Sequence, residues 1–125
     1  MTKIVIVLTD GANNSSYSSS LNGSDDSYYS GVGYQWQHLI SQNSGSFTNP
    51  SSAMNDREAK ICTNMKADNI VIYAVPLEVT DSTAKTLLQN CASSSDKYLD
   101  VSSSSQLSAT FTSIAGSIGN LRIAQ

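Results

Sequence analysis

Lys3-Ile4-Val5-Ile6-Val7-Leu8-Thr9-Asp10-Gly11 is the stretch that decides the fold. Its unbroken aliphatic run, mostly β-branched and without polar alternation, reads as a strand buried on both faces. Such strands belong to parallel sheets covered by helices. Thr9, Asp10 and Gly11 follow at once, so a hydroxyl and a carboxylate stand at the carboxyl end of a central strand. Open α/β sheets bind their ligands there. Gly11 is expected to let the chain turn sharply. Asp10 is therefore the first candidate ligand for a metal ion, with simple strand-end Asp-Gly turn chemistry as the alternative.

Working outward, order returns at Asn55, where Asn55 and Glu58 form a capping-box pattern at a helix start. Ala59, Cys62 and Met65 follow at helical spacing. Ile70 to Val75 reads as a second buried strand closed by Pro76. Thr80 or Asp81 can cap the next helix, in which Ala84, Leu87, Leu88 and Cys91 repeat on one face. A short third strand is predicted from Lys97 to Val101, and a last helix from about Ser103. Leu107, Phe111, Ile114, Ala115, Ile118 and Leu121 form the stripe of that helix. The alternation of strand and helix implies βαβ units and a parallel α/β sheet with right-handed crossovers. With three strands in sequence order, both connecting helices cover one face and Cys62 can meet Cys91. Two buried thiols in a helix–helix seam fit the same pattern.

Between Gly11 and this ordered half, residues 12–53 are a variable, Ser/Tyr-rich insertion. A loop of that length in a compact domain is functional or disordered. Tyr17, Tyr28, Tyr29, Tyr34 and Trp36 combine large amphipathic surfaces with adaptable polar neighbours, as binding loops do, and are the candidate partner-binding residues. The alternative is a solvated insertion whose aromatics fold back on the sheet edge. His38, the lone histidine, lies in this insertion without an evident catalytic partner.

The whole chain, 125 residues with 39% apolar content, fits one small domain with a core of its own. Seven basic against ten acidic residues leave a net charge of −3, which argues against nucleic acid as a partner. No run is long and apolar enough to cross a membrane, and there is no signal peptide. The first strand begins two residues into the chain, as expected of a piece cut from something longer. Charged residues make up only 14%, and abundant Ser, Asn and Tyr resemble exported proteins. Gly31-Val32-Gly33 lacks a third glycine and a preceding strand, so it is no dinucleotide fingerprint; phosphate-loop and nucleophile-elbow motifs are absent too.

The strand ending in Thr9-Asp10-Gly11, followed by βαβα, resembles the second half of a von Willebrand factor A domain, a three-layer Rossmann-like fold. Cys62, Met65-Lys66-Ala67 and Ile70-Val71-Ile72-Tyr73 then resemble TadG-like proteins of tight-adherence (Flp-type) pilus assembly systems of bacteria. Ala84, Leu87 to Ser94, Tyr98 and the closing Leu121-Arg122-Ile123 carry the same resemblance. It covers most of the chain except the insertion. It implies a truncated A-type domain, residues 1–125, that acts in adhesion or assembly without catalysis. The implied location is periplasmic or extracellular, in a parent protein anchored by a membrane segment that this chain lacks. Its expected partners are proteins of pilus assembly or of a host surface. Both cysteines fall where the family carries its pair, which implies a Cys62–Cys91 disulfide.

The A-type metal site takes Asp-x-Ser-x-Ser from the first strand, a Thr from a later loop and the Asp of Thr-Asp-Gly. Asp10 matches the last, and the principal ligands for Mg²⁺ or Mn²⁺ are expected outside this chain. Asp100-Val101-Ser102-Ser103-Ser104 fits Asp-x-Ser-x-Ser by letter but follows a half-polar strand. With a strand between them, Asp10 and Asp100 would stand about 9–10 Å apart, too far to share an ion. A Ser-rich helix cap is the expected role of that segment. The alternative function is a metal-dependent, hydrolase-like α/β domain using Asp10. Without a first strand beside it, strand 3–9 presents a long apolar edge, which predicts a homodimer through that edge or cover by the insertion.

Overall fold

The computed structural model describes residues 2–14 and 50–123. They form β1 (Lys3–Thr9), α1 (Pro50–Ala67), β2 (Ile70–Pro76), α2 (Ser82–Cys91) and α3 (Leu107–Ile123). Short 3-10 turns cover Ser95–Lys97 and Ser104–Gln106. The fold is mixed α/β, with a two-stranded parallel sheet that pairs Lys3 with Ile70 through Thr9 with Pro76. The chain divides into two compact units, residues 1–12 with 65–125 and residues 13–64.

In the larger unit β2 is the central element. Its residues Ile72 to Pro76 are buried, with Ile72, Ala74 and Val75 fully so. Side chains alternate across a strand, so Tyr73 and Val75 face one way and Ile72 and Ala74 the other. On the first face Tyr73 and Val75 cluster with Val101 and with Ile114 of α3, and Ile4, Leu107 and Ile118 pack around them. On the second face Ala74 clusters with Leu88 of α2 and with Ala92, joined by Val7 and Tyr98. A helix thus covers each face of the sheet; of the predicted stripe of α3, Leu107, Ile114 and Ile118 supply the contacts, whereas Phe111 and Ala115 are exposed.

The predicted third strand is not a strand. Residues 98–101 make only two isolated parallel bridges to β2, Ala74 with Tyr98 and Leu77 with Val101. Pro76 is the reason. In this register its N–H would have to donate to the Leu99 carbonyl, and proline has none, so the rung between the two bridges is lost. The remaining bonds hold: Leu99 N–H to the Ala74 carbonyl at 2.9 Å, Val101 to Pro76 at 2.9 Å, and Glu78 to Val101 at 2.8 Å. At the start of β2, Ser93 takes over the neighbour's role. Its N–H donates to the Ile72 carbonyl at 3.0 Å and its hydroxyl accepts from the Ile72 N–H at 2.8 Å. An irregular segment therefore satisfies the polar backbone of a buried strand.

β1 differs from expectation as well. No residue of β1 is fully buried, and Ile6 (40%) and Leu8 (49%) are exposed. The aliphatic run matches that of β2, but among the described residues only β2 has a neighbour on each side. Among the described residues no strand pairs with the other edge of β1.

α1 begins at Pro50, five residues before the predicted capping box, so residues 50–53 of the expected insertion are helical. Asn55 and Glu58 lie one turn inside the helix. Instead of capping, their Oδ1 and Oε2 both accept from the Asn13 side-chain amide, at 3.0 and 2.7 Å. Two acceptors at i and i+3 share one helix face, so the pattern serves an incoming side-chain donor equally well. Of the predicted stripe only Cys62 is buried, whereas Ala59 is exposed.

α2 starts as predicted. Asp81 is its N-cap, with Oδ1 accepting from the Ala84 N–H at 2.7 Å. At the other end the Lys66 ammonium donates to the Asn90 carbonyl at 2.6 Å, a cation on the negative end of a helix. Asp81→Ala is expected to destabilise the chain by about 1 kcal/mol, and Asp81→Asn by much less, in urea unfolding.

Candidate functional site

The candidate site lies at the carboxyl ends of the strands, where Thr9-Asp10-Gly11 leaves β1 and Leu77-Glu78 leaves β2. The two ends are stitched together by the Leu77 N–H donating to the Thr9 carbonyl at 2.8 Å. The Thr9 hydroxyl is used locally. It donates to the Gly11 carbonyl at 3.0 Å and accepts from the Gly11 N–H at 3.3 Å. This closed turn leaves Asp10 at the strand end with an exposed side chain. The chain bends at Asp10 and Gly11 as expected, and the bend does not depend on a conformation reserved for glycine. Gly11 is outside the left-handed region, and a Cβ there would meet nothing within 4 Å.

Glu78, which no sequence signal marked, organises the neighbouring strand end. It adopts a left-handed conformation, φ 54°, unusual for a residue with a Cβ. In that conformation its carboxylate accepts from the Ser104 N–H at 3.0 Å, ahead of α3. A carboxylate at the amino end of a helix complements both the orphan N–H groups and the dipole.

The segment that mimics Asp-x-Ser-x-Ser behaves as a cap. The Ser103 hydroxyl accepts from the Ser105 N–H at 3.4 Å and shares a hydrogen bond with the Ser105 hydroxyl at 2.9 Å. Ser102 donates twice to the Gln106 side chain, from its N–H and its hydroxyl, both at 3.2 Å. Asp100 pairs with Lys85 of α2 at 2.7 Å, and this bond raises the Lys85 pKa. Burial, and then the nearby Asp100 charge, raises that of Tyr98. Asp96 is held at about 2 by hydrogen bonds from Ser94 and then Lys97. Lys97 also lies 5.8 Å from the centre of the Tyr73 ring. These charges are committed to one another around residues 94–100.

As expected, β2 separates Asp10 from the Asp100 segment. Among the described residues no three His, Cys, Asp or Glu side chains come together to hold a metal ion. Asp10 thus brings one carboxylate to the strand ends. Tyr17, Tyr28, Tyr29, Tyr34, Trp36 and His38 lie outside the described residues.

Cys62 and Cys91 are 3% and 1% exposed, and both are disulfide-bonded. They are the chain's only cysteines and neither is free, so they are bonded to each other. Such a bond suits an oxidising, extracytoplasmic compartment. Among the described residues no helix is long and apolar enough to cross a membrane. No family model, no curated protein and no solved structure matches the chain.

Proposed function

We propose that this chain is part of a von Willebrand factor A-type domain similar to TadG-like proteins. In this reading it is a non-catalytic, protein-binding module of tight-adherence pilus assembly on the outer side of a bacterial membrane. The observation that carries the reading is the Cys62–Cys91 disulfide. It supports an extracytoplasmic site of action and joins the two positions at which that family's pair is expected. The parallel pairing of β1 with β2, with Thr9-Asp10-Gly11 at its carboxyl end, supports the same reading. Its partners are proteins of the pilus machinery or of a host surface. Tyr17, Tyr28, Tyr29, Tyr34 and Trp36 are the residues proposed to meet them.

The test is genetic and biochemical together. In the bacterium that carries this chain, deletion of its coding region is expected to abolish surface pili and adherence. Complementation with the wild type is expected to restore both, and complementation with Cys62→Ala/Cys91→Ala to restore little. Normal piliation in the deletion strain would reject the proposal.

A second reading rests on the exposed position of Asp10, whose carboxylate the turn leaves at the strand ends. A metal-dependent hydrolase would show saturable Mg²⁺ or Mn²⁺ binding by calorimetry and turnover of p-nitrophenyl phosphate, both lost in Asp10→Ala. The assembly module is expected to show no turnover with either ion.

A further inference from the structure

Asp10 is the only aspartate of the chain that is followed by glycine. The sheet's hold on this segment ends one residue earlier, where the Thr9 carbonyl accepts from the Leu77 N–H at 2.8 Å. Asp10 and Gly11 then form a bend outside any strand or helix, and the Asp10 side chain is exposed. Among the described residues nothing hydrogen-bonds or ion-pairs with its carboxylate. Other aspartates are engaged: Asp81 caps α2, and Asp96 and Asp100 pair with Lys97 and Lys85. Each of those three is also followed by a residue with a side chain, Ser82, Lys97 and Val101.

The free carboxyl carbon of Asp10 thus faces no competitor for the backbone nitrogen of the next residue. Attack of that nitrogen on Cγ closes a succinimide ring, and three features leave the path open. Gly11 has no side chain to shield its nitrogen. The space around it is free, since a Cβ built there would meet nothing within 4 Å. Its N–H is weakly engaged, by the Thr9 hydroxyl at 3.3 Å, which is longer than the usual ~2.7–3.2 Å.

We propose that the Asp10–Gly11 linkage is a site of spontaneous isomerisation to isoaspartate in the folded chain. Gly11 N bonds to the Asp10 Cγ and gives up its proton while the carboxyl loses its hydroxyl, so one water leaves. Water then adds back at either carbonyl of the ring. Opening at Cγ restores aspartate, whereas opening at the former main-chain carbonyl leaves the chain running through Cβ and Cγ. The charge is unchanged, but the main chain gains a methylene and the carboxylate now sits directly on Cα. The lengthened chain breaks the closed turn in which the Thr9 hydroxyl holds both the N–H and the carbonyl of Gly11. An aged molecule therefore differs from a fresh one at the strand ends. This modification is independent of the pilus reading.

The whole oxidised chain is incubated for several weeks at body temperature and neutral pH, beside a synthetic peptide of residues 5–14. Electron-transfer fragmentation of the products in a mass spectrometer distinguishes the two linkages residue by residue. Isoaspartate at position 10 is expected to accumulate in the folded chain within about tenfold of the rate in the peptide. Gly11→Ala fits the turn without a clash and is expected to slow the reaction about tenfold or more. A wild-type thermal midpoint checks that this variant is folded, and Asp10→Ala should form no isoaspartate there. A folded-chain rate further below that of the peptide would overturn the proposal, because the turn would then protect the linkage. Equal rates in the wild type and folded Gly11→Ala would overturn it too.

Discussion

Reduction of the Cys62–Cys91 disulfide lowers the thermal midpoint of this chain by roughly 10–20 °C. The bond closes a loop of about 29 residues, and the lost freedom of the unfolded chain is worth about 3–4 kcal/mol on the entropy model. For a domain of this size each kilocalorie moves the midpoint by about 4 °C or more. Burial adds to the loss, since the thiols left behind occupy positions only 3% and 1% exposed. The same burial makes the folded bond slow to reduce, because a thiolate must reach the sulfur it attacks. Thermal unfolding followed by circular dichroism, with and without reductant present during heating, measures the effect. Cys62→Ala/Cys91→Ala should match the reduced wild type and be insensitive to reductant. Alanine is the substitution of choice, because serine would bury a hydroxyl without an assured partner. Equal midpoints for oxidised and reduced wild type would show that the bond contributes nothing.

That disulfide was legible only through resemblance. Spacing along the two helices allowed a pair of buried thiols equally well, and nothing in the sequence alone chose between them. Elsewhere pattern and structure agree in part. Ile72 to Val75, Leu88 and Ile114 are buried as their periodicity requires. Pattern misleads where burial depends on neighbours instead of composition. Ile6 and Leu8 belong to a run indistinguishable from that of β2, yet among the described residues β1 has one neighbour and β2 has two. The missing ladder at 98–101 was readable in principle, because Pro76 removes one N–H. That consequence follows only once the register to Leu99 is known.

The candidate site divides in the same way. Asp10 is where the strand and the Thr-Asp-Gly turn place it, and the Ser-rich stretch after Asp100 does cap its own helix. Glu78 was not legible. Its role needs a left-handed backbone at a residue without the usual preference for it, and an N–H offered by Ser104 from 26 residues away. Asn55 and Glu58 show the converse. A local capping pattern was present, but Asn13, 42 and 45 residues away, claims both acceptors. Short-range patterns state what a group can bond to, and the fold decides which partner arrives.

Leu88→Ala is expected to cost about 3–5 kcal/mol, the upper part of the range for a buried leucine. Leu88 is 2% exposed and clusters with Ala74, fully buried in β2, and Ala92, which is 6% exposed. The size of the loss depends on how far the surroundings can collapse into the space left behind. Alanine neighbours have no side-chain atoms to extend, and Ala74 is fixed in the central strand. Relaxation must then come from the partly buried Val7 and Tyr98. Tyr98 is limited in turn by the parallel bridge that pairs it with Ala74. Leu87, its chain neighbour, is only half-buried, so Leu87→Ala loses less transfer energy and leaves no closed cavity, about 1 kcal/mol. Urea unfolding of the oxidised chain separates the two through their midpoints, with slopes near that of the wild type. Were the two variants to fall within 1 kcal/mol of each other, α2 would not be packed on the sheet through Leu88. The face of β2 that carries Ala74 would then need another cover.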